Sequence, residues 1–351
     1  MRLERLAATA ISEYSAVNFL RPEAALVSVL DAHQYAEHFG HPDVGSDAGL
    51  SCWLDTLRED HEVLQRLVLE HGGLLLRGLP VRKPEDFEAV ASEFLSVQES
   101  YIGGVSRRSR IHNNVYNTTE APSNVVIEQH LEATHTPRPP DTILFNCQTP
   151  AQQNGETPLA SFVELFDALP EDVTAPLENE RVVYSRNLLD RHSKLYKALP
   201  KTLTQSLALS WQEVSGCEEF SPARVALEKE GYEVSVRSRK RLHTRCSQPV
   251  ISSHPITGRK RWYLSDQITR RLPWYTSLGR RVLRSQMGME FALESGRSFA
   301  PGVLDLVHKE LLRLRFSFSW RTGDVLILDN QQMSHGRNPY AGERLILTAF
   351  G

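Results

Sequence analysis

His335, Gly336 and Arg344 bring together residue types that hold metals and anions. The stretch from Asp324 to Arg344 frames them. Val325 to Leu328 is an apolar run that reads as a buried strand, and Asp329-Asn330 is turn chemistry. His335 then stands before a glycine, and Arg344 opens a second strand-like run, Leu345 to Phe350. That order suits a metal ligand beside an anion clamp. One histidine is half a site, so the other half must lie upstream.

A non-haem iron site with open positions uses two histidines and one carboxylate on one face of the metal. A strand supplies two of these economically as His-x-Asp/Glu, because residues i and i+2 point to the same side. Three pairs have that spacing: His41/Asp43, His130/Glu132 and His308/Glu310. His308 and Glu310 fall in a helical pattern, where i and i+2 do not face each other. His41-Pro-Asp43 lies in a polar, glycine-containing turn region without a strand. His130 and Glu132 end a β-branched run, and the context favours this pair. Read alone, it is better explained as the polar face of a surface strand. His335 alone is equally a hydrogen-bonded loop histidine, while for Arg344 a rim salt bridge is the weaker reading.

The elements that must position these residues are of both kinds. Residues 1–45 read as an N-terminal extension wrapped on a main body at 46–351. Ser51 to Leu69 follows helical spacing and ends at His71-Gly72-Gly73, and Leu74 to Gly78 is a short buried strand. Pro84 to Leu95 is a second helix, with proline at its start and acids in its first turn. From Arg110 to Cys147 the texture is β, clearest at Val125–Glu132 and Thr142–Cys147. Residues 160–235 read as a helical insertion, with Phe162 onward and Leu203–Trp211 as its clearest parts. His254-Pro-Ile-Thr-Gly258 is a hairpin turn, and Val282–Phe291 and Val303–Leu314 are helical. Phe316, Phe318 and Trp320 alternate with serines, as a strand with one buried face would. Strands at 110–147 and 241–350, with helices before and between, predict a mainly β core with helical insertions (α+β). Jelly-roll barrels are assembled this way.

The bulk numbers exclude several classes. A net charge of -3 gives no electrostatic case for nucleic acid or an anionic membrane. The four cysteines, Cys52, Cys147, Cys217 and Cys246, form no C-x-x-C pair, which argues against a disulfide framework or structural zinc and for a reducing compartment. Glu4 and Glu13 interrupt the N-terminal segment where a signal peptide is apolar, and no apolar run approaches the ~20 residues of a membrane span. The expectation is a soluble, cytoplasmic protein.

Several stretches together carry a family resemblance: Ile127-Glu-Gln-His-Leu-Glu132, Pro139 to Cys147, Asn154-Gly-Glu-Thr-Pro158, Trp320 to Asn330, His335-Gly-Arg337 and Gly342-Glu-Arg344. From about residue 70 to the end, the chain resembles the taurine dioxygenase/clavaminate synthase-like branch of the Fe(II)/2-oxoglutarate dioxygenases. Its middle region, including Leu242-His-Thr-Arg245 and His254-Pro, is similar to amino-acid hydroxylases of non-ribosomal peptide pathways.

The resemblance implies a double-stranded β-helix (jelly-roll, cupin-like) core with Fe(II) held by His130, Glu132 and His335. It implies that Thr157 and Arg344 bind the distal carboxylate of the cosubstrate 2-oxoglutarate, with O2 as the second cosubstrate. An arginine suits that task independently, since its planar fork gives two parallel bonds to a carboxylate. Related halogenases replace the ligand carboxylate by a small residue so that chloride can bind, so Glu132 argues for an oxygenase outcome. The implied activity is oxidation, foremost hydroxylation, of an amino acid or amino-acid-derived metabolite, free or tethered to a carrier protein. Departures from the family pattern at Leu131, Thr134, His135, Asn154, Ser161 and Tyr263-Leu-Ser-Asp266 all bear on the substrate. His135 and Arg337 are candidate substrate contacts, with a structural role the stronger reading for each. Arg107, Arg108 and Arg110 form a basic run that reads better as a solvated loop than as a carrier-protein contact. Two rival readings stay open: a catalytically silent regulatory barrel, and a cupin-type metalloenzyme that does not use 2-oxoglutarate.

Overall fold

Alternating apolar residues set the architecture. Leu74 and Leu76 face one way and Leu75 the other, and Val325 and Ile327 oppose Leu326 and Leu328 in the same manner. Both faces are apolar, so this sheet is covered on both sides. The computed structural model describes residues 19–32, 47–95, 103–104, 108–118, 121–201, 204, 207–237, 240–265 and 289–351. Its largest sheet has eight strands, in the order Phe19–Arg21, Leu26–Asp31, Gly73–Arg77, Val325–Asp329, Thr142–Thr149, Leu345–Phe350, Val115–Asn117 and Arg110–His112. Leu26–Asp31 pairs in parallel with Gly73–Arg77, so part of the N-terminal extension belongs to the sheet. The remainder of that extension lies largely outside the described residues.

Helices cover one face. Asp47–Glu59 and His61–His71 stand where the spacing predicts one helix, with Asp60 at the break. Leu64, Leu67 and Val68 of the second helix pack in one cluster with Leu74, Leu76, Val325, Ile327 and Leu347. Burial of each such leucine contributes about 1.5–3 kcal/mol. The second helix stops at Gly72, whose φ of 76° is left-handed.

The other face meets a three-stranded sheet in the order Ile127–His130, Met333–Arg337, Leu159–Ser161. Leu159 and Met333 of this sheet share a core with Leu75, Phe145, Leu326, Leu328 and Ile346. The molecule is thus mixed α/β with much sheet, and two sheets share an apolar layer next to the candidate residues.

Several predicted elements differ. The stretch from 160 to 235 carries the eight-residue strand Arg181–Leu188 between helices Phe162–Ala168 and Phe220–Lys229. That strand pairs with Arg241–Pro249 and Met289–Leu293, a tertiary partnership that local spacing does not reveal. Met289–Phe291, read as helical, is therefore strand, and residues 282–288 lie outside the described residues. Within the predicted helix Leu203–Trp211, residues 207–210 are not helical, and the helix there is Trp211–Ser215. Phe316 to Trp320 keeps its alternating burial but makes only an isolated bridge, Leu159 to Phe316. Phe318 and Trp320 instead pack edge to face, with ring centroids 4.7 Å apart. The predicted turn at His254–Gly258 does join two paired strands, Ile251–Ser253 and Lys260–Trp262. All four cysteines are free, and no helix among the described residues is long and apolar enough to cross a membrane.

Candidate metal and anion site

His130 is the last residue of the strand Ile127–His130, and Glu132 lies just beyond it. Opposite, His335 sits on Met333–Arg337 and pairs in register with His130. The ladder then skips, with Arg337 opposite Ile127. Gly336 permits that irregularity, since a Cβ there would meet the Ile127 carbonyl oxygen at 2.6 Å.

The donors converge. One atom from each of His130, Glu132 and His335 lies within 4.8 Å of the others, and all three residues are buried. Glu132 Oε2 is 4.0 Å from His130 Nε2 and 3.8 Å from His335 Nε2. The Nδ1 of His130 donates to the Glu128 carbonyl at 2.9 Å, which leaves Nε2 with its lone pair toward Glu132. Burial pushes the pKa of His130 down against the pull of Glu132, and that of His335 well below the ordinary histidine range. Both rings are therefore neutral, as a ligand must be. Two neutral imidazoles and one carboxylate fit a divalent transition metal.

Sequence reasoning missed what fixes Glu132. The Asn330 side chain brackets its backbone, with Oδ1 accepting from Glu132 N at 2.6 Å and Nδ2 donating to Glu132 O at 3.0 Å. Asn330 Nδ2 also donates to the Pro140 carbonyl at 2.7 Å. The signal was present as Asp329-Asn330 but read only as a turn. Arg108 was likewise misread as solvated loop. Its side chain is 6% exposed, and Nη2 lies 2.6 Å from Glu132 Oε2. Arg110 is exposed, with its guanidinium over the Tyr116 ring, and Arg107 lies outside the described residues.

Beside the triad lies a cavity of ≈ 420 Å³ empty volume, part of it open to solvent. Arg108, His130, Phe145, Thr157, His335, Arg344 and Ile346 are among its lining residues. Arg344 donates Nε to the Gly155 carbonyl at 2.9 Å and lies over the Tyr340 ring. Burial, and then the Arg337 charge, bring its pKa down to about 10, which leaves it a cation at neutral pH. The turn that presents Gly155 explains one departure from the family pattern: Asn154 has φ 54° and Gly155 φ 78°, and asparagine tolerates what glycine would otherwise supply. Thr157 is buried, and its hydroxyl accepts from Trp320 Nε1 at 3.1 Å.

The two candidate substrate residues have contacts of their own beyond the triad. Arg337 borders the cavity, but its guanidinium donates to the carbonyls of Ala121, Pro122 and Val125 and so holds that loop. His135 is absent from the residues lining the cavity and meets Tyr184 edge to face, with centroids 6.5 Å apart. Burial, and then the charge of Arg186, push its pKa down to about 3. Between pH 6.5 and 3 the unfolded chain takes up a proton there that the folded chain refuses. Stability is therefore lost as the pH falls through that window, by up to about 1.4 kcal/mol per unit. His135→Gln is expected to flatten the acid side of the urea-midpoint profile. An unchanged slope would mean that the ring protonates within the fold.

A family model described as "Taurine catabolism dioxygenase TauD, TfdA family" matches residues 32–350. The dapdiamide synthesis protein DdaC of Enterobacter agglomerans is 25% identical over 294 residues, covering 83% of this chain and 85% of its own. A clavaminate synthase-like protein of Arabidopsis thaliana is 24% identical over 309 residues, covering 86% and 88%. The crystal structure of a taurine dioxygenase from Burkholderia xenovorans has the same fold at a TM-score of 0.51 and 14% identity, over 83% of this chain and 79% of that one. With a match across nearly all its length, the chain belongs to the TauD/TfdA family and is an Fe(II)- and 2-oxoglutarate-dependent dioxygenase that uses O2 as its second cosubstrate.

Proposed function

We propose that this enzyme hydroxylates an amino acid or amino-acid-derived metabolite, with its double-stranded β-helix core carrying iron on His130, Glu132 and His335. The observation that supports it most is the convergence of those three buried side chains beside a cavity that Thr157 and Arg344 also line. When bound, Fe(II) with 2-oxoglutarate and O2 supplies the oxidising power: one oxygen atom goes into the substrate C–H bond and the other into succinate, with release of CO2. The chain's own residues do the positioning. Arg344 is the seat for the distal carboxylate of 2-oxoglutarate, with the Thr157 hydroxyl beside it. Asn330 fixes the backbone of Glu132, and the His130–Glu128 bond fixes a ring tautomer. Phe145, whose ring centroid is 4.9 Å from that of His335, and Ile346 form apolar wall that limits water. The relative named for dapdiamide synthesis supports a biosynthetic substrate.

Anaerobic titration of the Fe(II)-loaded protein with 2-oxoglutarate tests this reading. A weak visible charge-transfer band that saturates with the keto acid is expected. A folded, iron-loaded protein without that band would overturn the assignment of the site.

A further inference from the structure

Arg108 is the side chain at this centre with no place in the chemistry above. It precedes the strand Arg110–His112, its guanidinium lies over the Phe350 ring at 5.6 Å, and it forms part of the cavity wall. Its Nη2 approaches Glu132 Oε2, the carboxylate oxygen that lies 4.0 Å from His130 Nε2 and 3.8 Å from His335 Nε2. The arginine therefore donates to the oxygen that a metal held by the triad would use. A guanidinium and a divalent cation repel strongly at such range in a poorly screened site. Both would draw on the same oxygen, and the three-donor set favours the metal there.

We propose that Arg108 is the substrate-anion residue of this enzyme: on metal loading it yields the Glu132 oxygen and takes a carboxylate of the substrate. This rests on the proposed site reading. The stem of Arg108 starts on the cavity wall and packs against Phe350, so the displaced head stays in the same space. A planar fork of N–H donors matches a carboxylate in two parallel bonds, and a charge-assisted pair in a buried cavity is strong. Arg344 is held separately, by Gly155 and Tyr340. The cavity thus has two cationic seats on different chain segments, one for the cosubstrate and one for the substrate. The second seat specifies a substrate with a free carboxylate. An acyl group held as a thioester has given up that charge, so a carrier-tethered substrate would need an acid elsewhere.

The test uses acetate as a minimal carboxylate and acetamide as its neutral shape analogue. Wild type, Arg108→Met and Arg108→Lys are loaded anaerobically with Fe(II) and saturating 2-oxoglutarate, and the band maximum is followed during each titration. In the wild type, acetate is expected to shift the band saturably and acetamide to leave it in place. In Arg108→Met the half-effect concentration is expected to rise at least tenfold, with Arg108→Lys between the two. The band formed by 2-oxoglutarate itself is expected to survive in all three proteins. An acetate response that is absent from the wild type, equal in Arg108→Met, or matched by acetamide overturns the proposal. Loss of the 2-oxoglutarate band in Arg108→Met also overturns it, by giving Arg108 to the metal or cosubstrate seat. A wild type that forms no band at all sinks the underlying site reading, an outcome distinct from the others.

Discussion

Glu132→Ala is expected to leave a folded protein that no longer forms the keto-acid band at any 2-oxoglutarate concentration reached. The carboxylate is the one anionic donor of the triad, and its removal leaves two neutral imidazoles to hold a dication. Loss of outer partners of metal ligands costs roughly 10- to 100-fold in affinity, and loss of the charged ligand itself should exceed that. Titration with Mn(II), followed by the free-ion electron paramagnetic resonance signal, measures it without requiring turnover. Arg108 complicates the sign of any partial effect, because the same substitution removes the carboxylate it donates to. Circular dichroism and a urea midpoint therefore belong beside the titration. A Mn(II) affinity within threefold of wild type would remove Glu132 from the ligand set.

Arg344→Met should separate the cosubstrate from the metal. Mn(II) affinity is expected to stay near the wild-type value, while the 2-oxoglutarate concentration at half-maximal band rises steeply. Truncating one partner of a buried, hydrogen-bonded charge pair costs about 2–5 kcal/mol, which corresponds to roughly 30-fold up to several-thousand-fold in affinity. Arg344→Lys keeps the charge but loses the fork and the Nε bond to Gly155, so it should fall between. If Arg344→Met binds 2-oxoglutarate as the wild type does, the distal carboxylate sits elsewhere in the cavity.

Much of the site could be read from local pattern. His130 and Glu132 stand at the end of a β-branched run, whereas Glu310 of a competing pair lies on the helix Val303–Leu314 and bonds Arg313. His41 and Asp43 of the third pair lie outside the described residues. The sheet strands Gly73–Arg77, Thr142–Thr149 and Val325–Asp329 were legible because apolar runs of that length bury both faces. What escaped depends on distant partners. A run of arginines looks solvated until a buried carboxylate is found opposite one of them, as Glu132 is for Arg108. Arg181–Leu188 becomes a central strand because Arg241–Pro249 and Met289–Leu293 flank it. Phe316–Trp320 shows the converse, since alternation records which side is buried and not whether a ladder forms.

The bracket of Asn330 around Glu132 joins residues 198 apart in the chain, and this sets a timetable for the enzyme's birth. At ~5–20 residues per second, a ribosome needs roughly 10–40 s after making Glu132 before Asn330 exists to hold it. Through that interval the nascent chain carries His130 and Glu132 as an incomplete, unanchored chelator. Closure across so long a separation also belongs to the slow, late events of folding. With iron on the proposed site, the metal is expected to enter the folded chain and not the emerging one, and cells starved of it are expected to accumulate folded, unloaded enzyme.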